Sequence, residues 1–249
     1  MVEELLDPRV NPPPVNRRPL RLEVRAEGMP MSTDRRLTVQ GQERKQQLLD
    51  HAADLFAERG YNETRIVDIV ERAGVAKGLF YWYFENKAAL FRELVELNRL
   101  RLRQAQGQAM DPDAEPLARI HQGIQASVTY MSRHAHFFAL LEVETIEKQF
   151  GDVLRRGNEV YVDDVERIMR QGVANGTIRD DDPHLLALGV VGSVGYFSHF
   201  HRTGRIANDP DELGGFVGRF IVCSLAADEE VARRVLAAPP ALPRAVAAP

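Results

Sequence analysis

The chain has 249 residues, 44% of them apolar and 27% charged, enough for one large or two small domains with a real core. Lys and Arg number 32 against 36 Asp and Glu, so no global basic field announces a nucleic-acid partner, and any such surface must be local. A single cysteine, Cys223, excludes an internal disulfide framework and a multi-cysteine zinc site, and fits a reducing compartment, the cytoplasm.

Six of the 14 prolines fall in the first 30 residues and four in the last 11, so residues 1–40 and 238–249 are expected to be a disordered extension and a disordered tail. Met29 and Met31 offer alternative starts within the first of these, and no apolar export signal precedes them. Arg35-Arg36 reads either as a flexible arm for the minor groove or as a solvated tail.

From Glu43 to Arg59 the apolar residues Leu48, Leu49, Ala52, Leu55 and Phe56 recur at helical spacing, and Gly60 closes the helix. Ile66, Ile69 and Val70 give a second, short helix its core face. Ala73-Gly74-Val75 makes a turn, and Lys77–Phe84 is a third helix with Phe80 and Phe84 facing inward. Two short helices about a glycine turn are a helix-turn-helix, whose second member can lie in the major groove. So short a helix cannot bury five aromatic residues, which leaves Lys77, Gly78, Tyr81, Trp82 and Tyr83 for a partner. Lys87 stands at the start of the next helix, placed to clamp a phosphate.

Downstream, acid–proline pairs signal helix starts near 113–116, at 183 and at 210, because the acid caps and proline has no N–H to leave unpaired. Leu117, Ile120, Ile124, Val128 and Met131 form one stripe, and Val162, Val165, Ile168, Met169 and Val173 another. No alternating strand pattern is present, so the fold class is all-α. The run from His184 to His201 carries no Asp, Glu, Lys or Arg but is broken by three glycines and is about two residues short of a membrane span. It is expected to be buried, with no membrane as partner.

Ala52, Phe56, Gly60, Thr64, Ile66, Ile69, Ala73-Gly74-Val75, Lys77-Gly78, Phe80-Tyr81-Trp82-Tyr83-Phe84, Lys87 and Leu90-Phe91 stand in an order and spacing that resembles the TetR family of bacterial transcriptional regulators. The resemblance covers about 50 residues. It implies a helix-turn-helix DNA-binding domain over 41–90 and a helical ligand-binding and dimerisation domain over 91–237. It places Lys77, Gly78 and Leu79 at the base-reading start of the recognition helix, and Tyr81, Trp82, Tyr83 and Lys87 where the family contacts phosphates. Two positions depart from the family pattern: Ala76 replaces the usual small hydroxyl residue that starts this helix, and Leu79 replaces a Ser or Thr, which suggests apolar contact with a thymine methyl. Arg65 stands where a capping threonine is usual, so either Thr64 caps the second helix one position early or Arg65 reaches a phosphate.

In the second domain, Gly189, Gly192 and Gly195 lie in one apolar helix, and Gly214, Gly215 and Gly218 lie beside Phe216, Val217 and Phe220 in the next. Both sets of small residues allow close approach, and the pair predicts a homodimer through a two-fold four-helix bundle, with Gly189, Gly192, Gly195, Phe216, Val217 and Phe220 at the interface. Two-fold symmetry would present recognition helices about 34–36 Å apart to double-stranded DNA carrying a palindromic operator. Phe137, Phe138, Tyr161, Met169 and Phe197 either line an apolar pocket or are plain core. The resemblance implies a small-molecule effector there, and the lining leans toward a hydrophobic one. The histidine pairs His134/His136 and His199/His201 point about 200° apart on a helix, so neither chelates a metal by itself, and no cofactor or catalytic constellation is expected. The chain reads as a regulator, a repressor by resemblance, and not as an enzyme. The competing class is a helical enzyme or carrier with a silent DNA-binding module.

Overall fold

The computed structural model describes residues 38–142 and 144–237, and within them every regular element is a helix, as the sequence pattern requires. Residues 1–37, with Arg35-Arg36, and 238–249 lie outside the described residues, while Val39 and Gln40, expected in the extension, already belong to the first helix.

Helix α1 (Val39–Arg59) buries the predicted stripe of Leu48, Leu49, Ala52, Leu55 and Phe56. It stops at Gly60, whose φ of +83° a side-chain-bearing residue would adopt only with strain. Helices α2 (Ile66–Arg72) and α3 (Lys77–Tyr83) meet at Gly74, with φ +65°. Asn86 then caps α4 (Lys87–Ala109), its side chain accepting the Ala89 N–H at 2.9 Å.

Helices α5 (Pro116–Arg133), α6 (Ala135–Leu141), α7 (Glu144–Ala174), α8 (Pro183–Arg202), α9 (Pro210–Leu225) and α10 (Glu229–Ala237) complete the described chain. The acid–proline starts at 183 and 210 form as read: Asp182 accepts the His184 N–H at 2.8 Å, and Asp209 accepts the Asp211 N–H at 2.8 Å. Pro116 opens α5 without a side-chain cap, whereas Asp111 accepts the Asp113 N–H at 3.0 Å and makes a local turn.

Two cores result. The larger gathers Leu117, Ile124, Val128, Met169, Val190 and Val217 from α5, α7, α8 and α9. The other lies under the first three helices and is not closed by them alone. Phe91 and Leu94 from α4, Leu140 from α6, and Ile146 and Phe150 from α7 enter it. Phe150 sits 4.5 Å from Phe91 and 5.4 Å from Tyr61, ring centre to ring centre. A boundary drawn at residue 90 therefore runs through packed side chains.

The two glycine sets do different work, which corrects their reading as equivalents. On α9, a Cβ at Gly214 would lie 3.0 Å from the Gln125 carbonyl oxygen, and one at Gly218 would lie 2.6 Å from His121, so these glycines let α9 close onto α5 inside the protomer. Val217 is fully buried in the same contact and is not available to a second chain. On α8, a Cβ at Gly189, Gly192 or Gly195 would meet no described atom within 4 Å. Gly214→Ala gains up to about 1 kcal/mol of helix propensity but overpacks a backbone contact at a cost of about 1–3 kcal/mol. A lowered urea midpoint is the expected outcome.

Candidate nucleic-acid interface

Helix α3 is fixed from beneath. Phe80 and Phe84, four residues apart, are 0% and 2% exposed, and this anchoring turns the remaining residues of a seven-residue helix outward. Tyr81 and Trp82 are each half-exposed, and Leu79 is half-buried beside them. The Lys77 ammonium lies 6.0 Å from the Tyr81 ring centre and has no carboxylate within 4 Å among the described residues. Gly78 is exposed, and a Cβ there would meet open space. The structure thus brings Lys77, Gly78, Tyr81 and Trp82 onto one solvent-facing strip.

Other predicted contact residues have inward duties. Thr64 is fully buried, its hydroxyl 2.8 Å from the Gly60 carbonyl oxygen and 3.2 Å from that of Leu55, so it neither caps α2 nor reaches the surface. Arg65 occupies the N-cap position instead, and Asp68 accepts its backbone N–H at 2.8 Å, the rear half of a capping box. The Arg65 guanidinium, largely exposed, also holds Asp68, and this contact with the backbone bond brings the carboxyl down to about 2. Tyr83 donates its hydroxyl proton to the Gly41 carbonyl at 2.8 Å, tying α3 to the first turn of α1.

Lys87 departs furthest from its expected role. Its ammonium donates to the carbonyls of Tyr61 at 2.6 Å, Thr64 at 2.8 Å and Asn62 at 3.3 Å, and lies 4.3 Å from the Tyr61 ring centre. An ammonium has three protons, and three carbonyls of the α1–α2 connection take them, leaving none for a phosphate. Burial accordingly pushes its pKa below the usual lysine range.

A cavity of about 590 Å³ lies between α4, α6, α7 and α8, and Phe137, Phe138 and Tyr161 are among the residues that line it. Met169 and Phe197 do not. Met169 is fully buried in the larger core, and Phe197 turns to α9, where its ring sits 5.9 Å from Phe216 and 6.2 Å from Phe220. Asn98, Gln106 and Arg202, which periodicity gave no reason to single out, also line the cavity. Gln106 donates to Ser127 Oγ at 2.8 Å, and the Tyr161 hydroxyl lies 3.3 Å from the same oxygen. Burial raises the Tyr161 pKa, so the phenol stays neutral.

Helix α8 exposes Leu185, Leu188 and Tyr196 together with Gly189 and Gly192, and α9 exposes Phe216 and Phe220 with their rings stacked at 6.4 Å. Leu185, Leu188 and Tyr196 were not foreseen, because a helix apolar nearly all round does not reveal which arc faces outward. Among the described residues no helix is long and apolar enough to cross a membrane.

A helix-turn-helix with polar and aromatic residues turned outward from its second helix, carried on an all-helical body, is the architecture of a DNA-binding regulator. The chain belongs to the TetR family. Residues 48–94 match the family model of bacterial regulatory proteins, tetR family, and residues 113–219 match that of the tetracyclin repressor-like C-terminal domain. The HTH-type transcriptional regulator YhgD of Bacillus subtilis is 25% identical over 149 residues, 58% of this chain and 77% of that protein. AcrR of Shigella flexneri is 39% identical over 64 residues, 26% of this chain and only 30% of AcrR. The crystallised fatty acid degradation regulator FadR of Bacillus halodurans shares the fold, with a TM-score of 0.64 at 18% identity over 72% of this chain and 94% of that one. The family is one of helix-turn-helix transcriptional regulators, generally repressors.

Lys87→Met separates the two roles that this side chain has been given. Loss of the clamp leaves carbonyls unpaired and should destabilise the protein by about 1–3 kcal/mol. The slope of log affinity against log salt should not change, whereas loss of a phosphate contact would lower it by about 0.9.

Proposed function

We propose that this chain is a sequence-specific repressor of transcription, acting in the cytoplasm, that holds a palindromic operator as a homodimer and releases it when a small, mainly hydrophobic effector fills the cavity. The observation that carries the DNA-binding part is the outward strip of α3. Lys77 has no acidic partner among the described residues, Tyr81 and Trp82 are half-exposed, and Gly78 leaves room for a close backbone, all on a helix that Phe80 and Phe84 hold rigidly to the core. Lys77 suits a guanine edge or a phosphate, Tyr81 offers a hydroxyl to a phosphate, and Leu79 suits a thymine methyl. Arg65 extends the strip with a largely exposed guanidinium.

The dimer part rests on the apolar arc of α8 and α9. Leu185 is 61% exposed and Tyr196 66%, and Phe216 and Phe220 are each 49%, beside glycines that leave space for another helix. A contiguous apolar patch of this kind marks an interaction surface, and a self-complementary two-fold contact is its simplest use. Gly189, Gly192, Phe216 and Phe220 then form the interface with Leu185, Leu188 and Tyr196, whereas Gly195 lines the cavity. A protein of the same fold is named as a regulator of fatty acid degradation, which is in keeping with a hydrophobic effector here.

The double substitution Lys77→Ala/Tyr81→Ala should remove saturable, competitor-resistant binding to DNA from upstream of the gene, read by fluorescence anisotropy, with the melting temperature unchanged. Retained affinity would overturn the assignment of α3. Phe220→Glu should convert the sedimenting species to a monomer at micromolar concentration and weaken operator binding by at least about tenfold, since one half-site contact is lost. A dimer that persists would place the interface elsewhere.

A further inference from the structure

The charged lining of the cavity holds one more guanidinium than carboxylates, with Arg99 paired to Glu96 and Arg103 to Asp164. Arg99, Arg103, Arg156 and Arg202 stand around it against Glu96, Glu142 and Asp164. An adjoining cavity of about 230 Å³ shares Arg103, Gln106, Tyr161 and Asp164 with it, and adds Arg119 and Arg167 with no further acid. Six guanidiniums thus face three carboxylates, in a chain whose formal charge is -4. Asp164 is divided between Arg103 and Arg167, Arg119 is held by the neutral Gln171, and Arg156 has no carboxylate within 4 Å among the described residues.

Arg202, in the last turn of α8, is the centre of this asymmetry. Its side chain is 4% exposed, and its guanidinium carbon lies 5.9 Å from the Phe138 ring centre. Nη2 donates to Glu142, a carboxylate that also takes the ring nitrogen Nδ1 of His199 at 2.9 Å. Nε and Nη1 are buried and have no acceptor among the described residues. A buried guanidinium with unanswered donors carries a desolvation penalty that an oxyanion would offset, and charge-assisted bonds of this kind are about twice as strong as neutral ones. Part of the wall is different in character: Met131, Phe137, Phe138, Leu141, Val191 and Val194 present carbon.

Resting on the effector reading above, we infer that the cavity receives an amphipathic anion, its apolar chain lying on Phe137, Phe138, Val191 and Val194 and its carboxylate or phosphate head taken by Arg202. Arg156, with no carboxylate within 4 Å among the described residues, supplies the surrounding positive charge. A hydrocarbon would leave the Arg202 donors unanswered, a neutral hydroxyl would answer them with a weaker bond than an oxyanion, and a lipophilic cation would meet like charge. A cavity of about 590 Å³ is within the range of small-molecule sites.

Calorimetric titration of the full chain with dodecanoate, dodecyl phosphate, dodecanol and dodecylamine, each below its micellar concentration, tests this. The expected result is that at least one anion binds about tenfold or more tightly than dodecanol, and that dodecylamine binds no better than the alcohol. The ranking of the two anions tells a carboxylate site from a phosphate site. Arg202→Met, which keeps a long apolar stem over Phe138, should bring the anions to within about threefold of dodecanol and weaken dodecanol less than either anion. If that variant does not fold, the head-group series on the unaltered chain decides alone. Dodecanol or dodecylamine binding as tightly as both anions overturns the inference, as does failure of both anions to bind. Anisotropy on upstream DNA in the same solutions keeps the two readings apart: anion binding without DNA release would support the site and refute its use as the trigger.

Discussion

Everything on the DNA-facing side depends on one packed junction, where Phe150 of α7 meets Phe91 of α4 against Phe56 and Tyr61. Helices α2 and α3 have seven residues each, well below the length at which a helix persists in water, so their geometry is tertiary in origin. Ile69, Val70, Phe80 and Phe84 hold them to a core that Leu140, Ile146 and Phe150 close from the other domain. The Lys87 ammonium does the polar counterpart of this work by gathering the carbonyls of the α1–α2 connection. Together these contacts let a solvent-facing strip be rigid, which a reading surface requires if its side chains are to meet base edges without an ordering cost.

The same economy of surfaces is visible at the far end of the molecule. Helix α9 uses Gly214 and Gly218 to sink against α5, and Phe216 and Phe220 stand half-exposed beside Phe197 of α8. A protomer alone exposes these rings to water at the usual hydrophobic cost of about 25 cal/mol per Å². Glycines with open space over them lower helix propensity for no gain inside the chain, so Gly189 and Gly192 make sense when another backbone comes close.

The parts of this design that periodicity and capping chemistry control were legible in the sequence: the all-α class, the stripes of α1 and α5, the starts at Pro183 and Pro210, and the split of α3 into buried Phe80 and Phe84 and exposed Tyr81 and Trp82. Directions in three dimensions were not legible. A lysine at the start of α4 looks alike whether its ammonium faces a phosphate or folds back on carbonyls 23 to 26 residues earlier, and only the return of the chain decides it. Likewise the six glycines of α8 and α9 are equivalent as text, but α5 lies over one set and open space over the other. Phe197 and Met169 carry the right chemistry for a cavity, yet the rotation of α8 and α7 turns both elsewhere. An arginine in the last turn of a helix ordinarily complements the dipole, so nothing in the sequence marks Arg202.

Helix α4 is the element common to both ends, and it constrains how they can communicate. Leu90, Phe91 and Leu94 lie in the core beneath the DNA-facing helices, while Asn98, Leu102 and Gln106 line the cavity. At 23 residues it is about 34 Å long, so a tilt of about 5° about one end displaces the other by about 3 Å. Arg99 opposes such a tilt in the middle. Its guanidinium donates to the carbonyls of Val153 at 2.6 Å and Leu154 at 3.1 Å, lying where a Cβ at Gly157 would otherwise stand. With that point tied to α7, a molecule entering the cavity can move α4 most easily by pivoting it, and a pivot carries the N-terminal end, with Lys87 and the loop it holds, in the opposite sense to the cavity end. In a two-fold dimer both α3 strips would move together, so the change in their spacing is twice that of one protomer. The free energy available is set only by how much better the occupant fits the pivoted form, ordinarily about 1–3 kcal/mol, which is sufficient to weaken operator binding by one to two orders of magnitude.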